Sequence, residues 1–93
     1  MTMVVKDPDA RVDQAFDWGA AWPGGQAVLA SEWDVSPVEA GGLELAASSH
    51  GLTETAATLA GGIAGHVYRA TNRVTMSDGQ IDERSVTVRV EER

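Results

Sequence analysis

Glycine pairs at Gly24-Gly25, Gly41-Gly42 and Gly61-Gly62 divide the 93-residue chain into stretches of under about twenty residues. Such intervals are too tight for long helices with their connections, and they suit short strands. The patterning inside them agrees. From Val28 to Val35, Leu29, Trp33 and Val35 share one parity while Glu32 and Asp34 take the other, as in a half-buried strand. From His66 to Met76, Tyr68, Ala70, Val74 and Met76 alternate with Arg69, Thr71, Arg73 and Thr75; Asn72 interrupts the apolar set and Val67 the polar one. From Arg84 to Val90, three valines alternate with Ser85, Thr87 and Arg89.

Ser77-Asp78-Gly79-Gln80 separates the last two strands. Its Asp-Gly core supplies the positive φ of a tight antiparallel turn, so a hairpin is predicted there. Weaker strands are read over 14–18, 43–48 and 53–59; the threonine- and alanine-rich third is read as a candidate edge strand. A helix competes over 38–48, but Gly41-Gly42 opposes it by about 1 kcal/mol per glycine.

About six short antiparallel strands, each with one apolar face, close either as a two-sheet sandwich or as a small barrel. The stretch Gly61-Gly62-Ile63-Ala64-Gly65-His66-Val67-Tyr68 favours the sandwich. There a glycine-rich corner enters a strand with tyrosine near its start, as in immunoglobulin-like domains, where the hydroxyl bonds back to corner backbone. The sequence lacks cysteine. The expectation is therefore an all-β, small immunoglobulin-like antiparallel β-sandwich without disulfide, with residues 1–12 as an amino-terminal arm and 13–93 as a single domain.

Seven basic against fourteen acidic residues give a net charge of −7 and a pI near 4.5. That sign is wrong for tracking phosphate backbones and unfavourable at anionic lipid, so neither nucleic acid nor membrane is expected as a partner. Without cysteine there is no thiolate zinc site or cysteine nucleophile. No apolar run reaches signal-peptide or membrane-spanning length, so synthesis and retention in a cytoplasm are expected. A chain this small gains little net stability from its own core, so contact with neighbours would help.

Phe16, Trp18, Trp22 and Trp33 are four of only five aromatic residues and lie close together in sequence. Phe16, Trp18 and Trp33 are read as core anchors, and Trp22, in a loop-like stretch, either packs over the end of the sandwich or, if exposed, serves as an interface anchor. Catalytic readings are weak. Ser48, Ser49 and His50 are chain neighbours, whereas hydrolases assemble serine and histidine from separate parts of a fold. His50, His66 and Glu54 match no zinc spacing, and no lysine-serine or lysine-threonine follows the glycines to make a phosphate loop. Calcium is conceivable at Asp7, Asp9, Asp13 and Asp17, but the EF-hand spacing is missing. No cofactor is called for. Arg69, Arg73, Arg84 and Arg89 fall on the predicted hairpin, either paired across strands with Glu83 and Glu91 or forming a local positive face that suits an acidic neighbour.

Several groups of residues together resemble the small tailed-bacteriophage proteins called fiber-tail adaptors. These are Asp7-Pro8-Asp9-Ala10, Ala15-Phe16-Asp17-Trp18, Ser31-Glu32-Trp33, Ala60-Gly61-Gly62, Ala64-Gly65, Tyr68, Thr71-Asn72-Arg73-Val74-Thr75, Gly79 and Arg84-Ser85, and the likeness runs from Lys6 to Val90. Thr58 departs from it, standing where a larger apolar residue is common, and Trp22-Pro23 is shifted. The resemblance implies a non-enzymatic virion protein with an immunoglobulin-like sandwich, in several copies around the tail or neck, bridging it to fibres and touching other virion proteins and copies of itself in a ring. It supplies no catalytic residues. The residues expected to meet partners are Met3, Val4, Val5, Trp22, Arg69 and Arg73, with the β-prone start of the chain adding a strand to an adjoining chain. Two alternatives remain: a capsid decoration or head-tail completion protein with the same fold, and a carbohydrate-binding module using exposed tryptophans.

Overall fold

The structure is a computed structural model that describes residues 2–18 and 26–92. Its seven strands are β1 (Thr2–Lys6), β2 (Val12–Asp17), β3 (Val28–Ser36), β4 (Leu43–His50), β5 (Glu54–Gly61), β6 (Val67–Met76) and β7 (Ile81–Val90). They form a four-stranded sheet in the order β1-β7-β6-β3 and a three-stranded sheet in the order β2-β5-β4. Every described pairing is antiparallel except β1 with β7, which runs parallel. The fold is thus an all-β sandwich.

Alternation decides what lies between the layers. Tyr68, Ala70, Val74 and Met76 of β6 and Val86, Val88 and Val90 of β7 are all buried, facing Leu59 and Leu43 of the other sheet. Met76 N–H donates to Gln80 O at 2.8 Å and Gly79 adopts φ +89°, so the Asp78-Gly79 hairpin forms as predicted. Gly62 adopts φ +104°, and a β-carbon there would stand 2.6 Å from Val90 Cγ2. Glycine lets this corner close over the end of the core.

Three readings of the sequence change. Leu29 is 62% exposed and Val28 takes the buried place, because a bulge between Val28 and Ala30 shifts the register of β3 against β6. The threonine- and alanine-rich segment is no edge strand: β5 lies between β2 and β4, and its small side chains fit a middle strand packed under large neighbours. The amino-terminal stretch, expected as an arm reaching an adjoining chain, pairs with its own β7 from Thr2↔Val86 to Lys6↔Val90.

Two polar groups stabilise the interior at opposite ends. Trp18 Nε1–H donates to Thr55 Oγ1 at 2.9 Å and to Asn72 Oδ1 at 3.2 Å. Thr55 Oγ1–H also donates to Asn72 Oδ1 at 2.5 Å, and Asn72 Nδ2 donates to Ser31 Oγ at 2.9 Å and Glu32 O at 3.0 Å. Asn72, the apparent fault in the apolar stripe, is fully buried because these bonds occupy its amide. At the other end the buried Lys6 ammonium donates to Gly61 O at 2.6 Å and Asp7 O at 2.8 Å. Burial pushes its pKa below the usual lysine value, opposed by the carboxylates of Asp7 and Asp9.

Candidate docking surfaces

With the inner faces spent on the core, the outer faces, strand edges and loops are where this chain can meet anything else. On the four-stranded sheet the pairing register defines the outer face. Val5, Arg89 and Val67 form one row across β1, β7 and β6, and Met3, Thr87 and Arg69 the next. Met3 is 57%, Val5 40% and Val67 54% exposed, so an apolar corner borders the free edge of β1. Arg89 Nε lies 2.6 Å from Glu91 Oε1, a pairing along the end of β7 and not across the hairpin as expected.

Arg69 and Arg73 are exposed on β6, and their side chains make no ion pair or hydrogen bond with another described residue. Arg73 stands between Glu32 and Glu83 in the register, while Arg69 has Ser36 and Thr87 at its sides. Arg84 turns elsewhere: its guanidinium lies 4.4 Å from the centre of the Trp18 ring, and its Nη1 donates to Asp17 O at 3.3 Å. The hairpin arginines thus divide into one pair-forming, one aromatic-capping and two open side chains.

Of the residues expected to meet partners, the structure brings Met3, Val5 and Arg69 onto one corner and sets Arg73 further along the same face. Val4 points the other way, packed against the core cluster. Trp22 lies outside the described residues. Trp18 is fully buried, and Phe16 and Trp33 stack with ring centres 5.6 Å apart, as core anchors do.

The three-stranded sheet presents a different outer face. Its rows are Glu44 and Ala60, then Ala47, Thr58 and Asp13, then Ser49, Ala56 and Ala15, then Glu54 and Asp17. The central rows carry small side chains over a shallow depression, and four carboxylates, those of Glu44, Asp13, Glu54 and Asp17, belong to these rows, with exposed Arg11 just ahead of β2. Thr58 Oγ1–H donates to Asp13 Oδ1 at 2.7 Å, so the threonine that departs from the family pattern serves a polar contact on this outer face. Sequence reading missed the face because its alanines and serines carry no amphipathic signal; only the register collects them.

The remaining chemistry-bearing residues separate. Asp7 Oδ1 accepts from Asp9 N–H at 2.9 Å in the turn after β1, while Asp13 bonds across to Thr58. Among the described residues no group of three histidine or acidic side chains is placed to hold a metal ion. His50 bonds to Gly51 O, whereas His66 Nδ1 lies 2.9 Å from Glu39 Oε1. Tyr68 Oη accepts from Ile63 N–H at 3.1 Å, the expected return to corner backbone, and donates to Glu39 Oε1. Hydrogen bonds from Tyr68 first and His66 second hold the Glu39 carboxyl below its ordinary pKa, and burial raises that of Tyr68. This cluster knits the 37–42 loop to the corner.

A family model described as podophage GP4 fiber-tail adaptor protein gp77 matches residues 6–89. No curated protein matches the chain.

Proposed function

The chain belongs to the podophage GP4 fiber-tail adaptor family, and from that premise we propose a non-enzymatic virion protein, present in several copies, that bridges tail or neck to fibres. Membership carries a tail-associated structural role. The match over residues 6–89 is the observation that carries the finer reading too, because it spans all of β2 to β6 and nearly all of β7. Support comes from the surfaces: the corner of Met3, Val5, Val67 and Arg69 combines apolar area with an arginine, a composition favoured at protein interfaces. Several copies held together turn weak contacts into a durable attachment. Synthesis in the bacterial host cytoplasm followed by incorporation into the particle fits a chain with no segment of membrane-spanning length.

The test is the place of the protein in the particle. Gold-labelled antibody or a fused density tag on intact virions should appear at the junction of tail and fibres. Label on the capsid shell would overturn the adaptor reading in favour of a decoration protein.

A further inference from the structure

We propose that the free edge of β1 takes an additional strand from a different protein, an extended segment with apolar side chains at alternate positions and a basic residue at the end that lies beside Asp9. The inference rests on the adaptor reading above and names the edge by which one neighbour would attach.

The backbone of β1 decides where its unpaired groups lie. Lys6 O accepts from Glu91 N–H at 2.9 Å, so Lys6 turns its backbone groups toward β7. The N–H and C=O of one residue point to the same side of a strand, and that side alternates along the chain. Val4 therefore faces β7 as Lys6 does, while Met3 and Val5 direct their N–H and C=O to the open side of the sheet. Met3 and Val5 are also the residues whose apolar side chains are exposed on the outer face. One short edge thus combines free backbone donors and acceptors with apolar surface, the two things a strand needs to add.

The other three sheet edges are guarded. β2 exposes Asp13 and Asp17; β3 has a bulge between Val28 and Ala30 and exposes Glu32 and Asp34; β4 has a bulge between Leu45 and Ala47 and exposes Glu44. Bulges and exposed charges are the devices that keep sheet edges from joining. β1 has neither: its register on β7 is unbroken from Thr2 to Lys6, and its one charged side chain, that of Lys6, is buried. The family match starts at Lys6, so Met3 and Val5 lie outside the matched region and the edge adds to what membership implies.

Charge selects the occupant. Beyond β1 the 7–13 segment holds Asp7, Asp9 and Asp13 against Arg11 alone, and Asp9 is exposed in the turn that ends the strand. A chain of net charge −7 attracts a basic segment and repels a copy of itself. The guarded edges of β2, β3 and β4 also deny a second copy a strand suited to this one.

The experiment uses the full chain and a blocked synthetic peptide that alternates valine and threonine and ends in two lysines. Hydrogen exchange followed by NMR should show the Met3 and Val5 amides exchanging fast and those of Val4 and Lys6 slowly; saturating peptide should slow Met3 and Val5 at least about tenfold. Val5→Pro removes an outward N–H, which an edge strand tolerates. Its circular dichroism and the protection of Lys6 should be kept, while peptide affinity in calorimetry falls at least about tenfold, the scale of one lost hydrogen bond. Val4→Pro removes an inward N–H and should instead unseat β1, seen as fast exchange at Lys6. Exchanging the peptide's lysines for glutamates should weaken binding to the wild type, and Asp9→Lys should remove that preference. Equal exchange at Met3 and Val4, binding unchanged by Val5→Pro, or a wild type that ignores the peptide at millimolar concentration would overturn the proposal. A free chain that dimerises until Val5→Pro makes it monomeric would overturn it too, by giving the edge to a second copy. The adaptor reading fails separately, by label away from the junction of tail and fibres.

Discussion

The two ends of the sandwich are held by different chemistry. At one end Trp18, Thr55, Asn72 and Ser31 share neutral hydrogen bonds inside the core, with Arg84 laid over the indole. At the other, Tyr68 and His66 converge on the Glu39 carboxylate at the surface. A buried network of neutral groups ties two sheets together with no dependence on protonation, and it is costly to break because each orphaned group loses water as well as its partner. A carboxylate near solvent makes a weaker tie that acid can release.

Trp18→Ala should be the most damaging change, at about 3–5 kcal/mol, since it empties a fully buried site and removes the indole N–H that Thr55 Oγ1 and Asn72 Oδ1 share. Urea unfolding of the variant against the wild type measures it, and a loss below about 1 kcal/mol would mean that the Trp18 end is not an anchor. Asn72→Leu keeps the branching and the number of heavy atoms and removes four hydrogen bonds; a loss of about 2–3 kcal/mol is expected, insensitive to pH. Finding it neutral would show that the network contributes specificity and not stability. Tyr68→Phe deletes only the hydroxyl that accepts from Ile63 and donates to Glu39, and roughly 1 kcal/mol should follow in the same assay.

Smallest is the pH effect at Glu39. Its folded-state pKa lies below the ordinary 4.5, so its contribution is complete above that pH and is lost as pH falls through the lowered value. Melting temperature followed from pH 6 to pH 3 should therefore drop more steeply in the wild type than in Glu39→Gln. Parallel curves would remove the distinction between the ends.

The difference between the ends also marks what could be read in advance. The Tyr68 end was legible: a glycine corner running into a tyrosine-bearing strand names its own hydrogen bond, although not Glu39, which arrives from a distant loop. The Trp18 end was half legible. Trp18 was recognisable as a core residue by its size, but Asn72 looked like a flaw in the stripe, because an amide is tolerated inside only when its partners are in place. The docking faces divide in the same way. Arg69 and Arg73 could be placed on one face by parity, while the acidic face depends on which strand lies beside β5 and in what register.

Local rules, then, were enough for the strands and the hairpin: period-two alternation selects the buried side of β6 and β7, and Asp78-Gly79 carries the positive φ its turn demands. Strand order, the parallel seat of β1 on β7, the slip that exposes Leu29 and the burial of Asn72 and Lys6 were settled by tertiary structure. The reason is physical. Alternation is a property of one strand and its two faces, whereas a register, an edge or a satisfied buried amide is a property of two segments that meet only after the chain has folded.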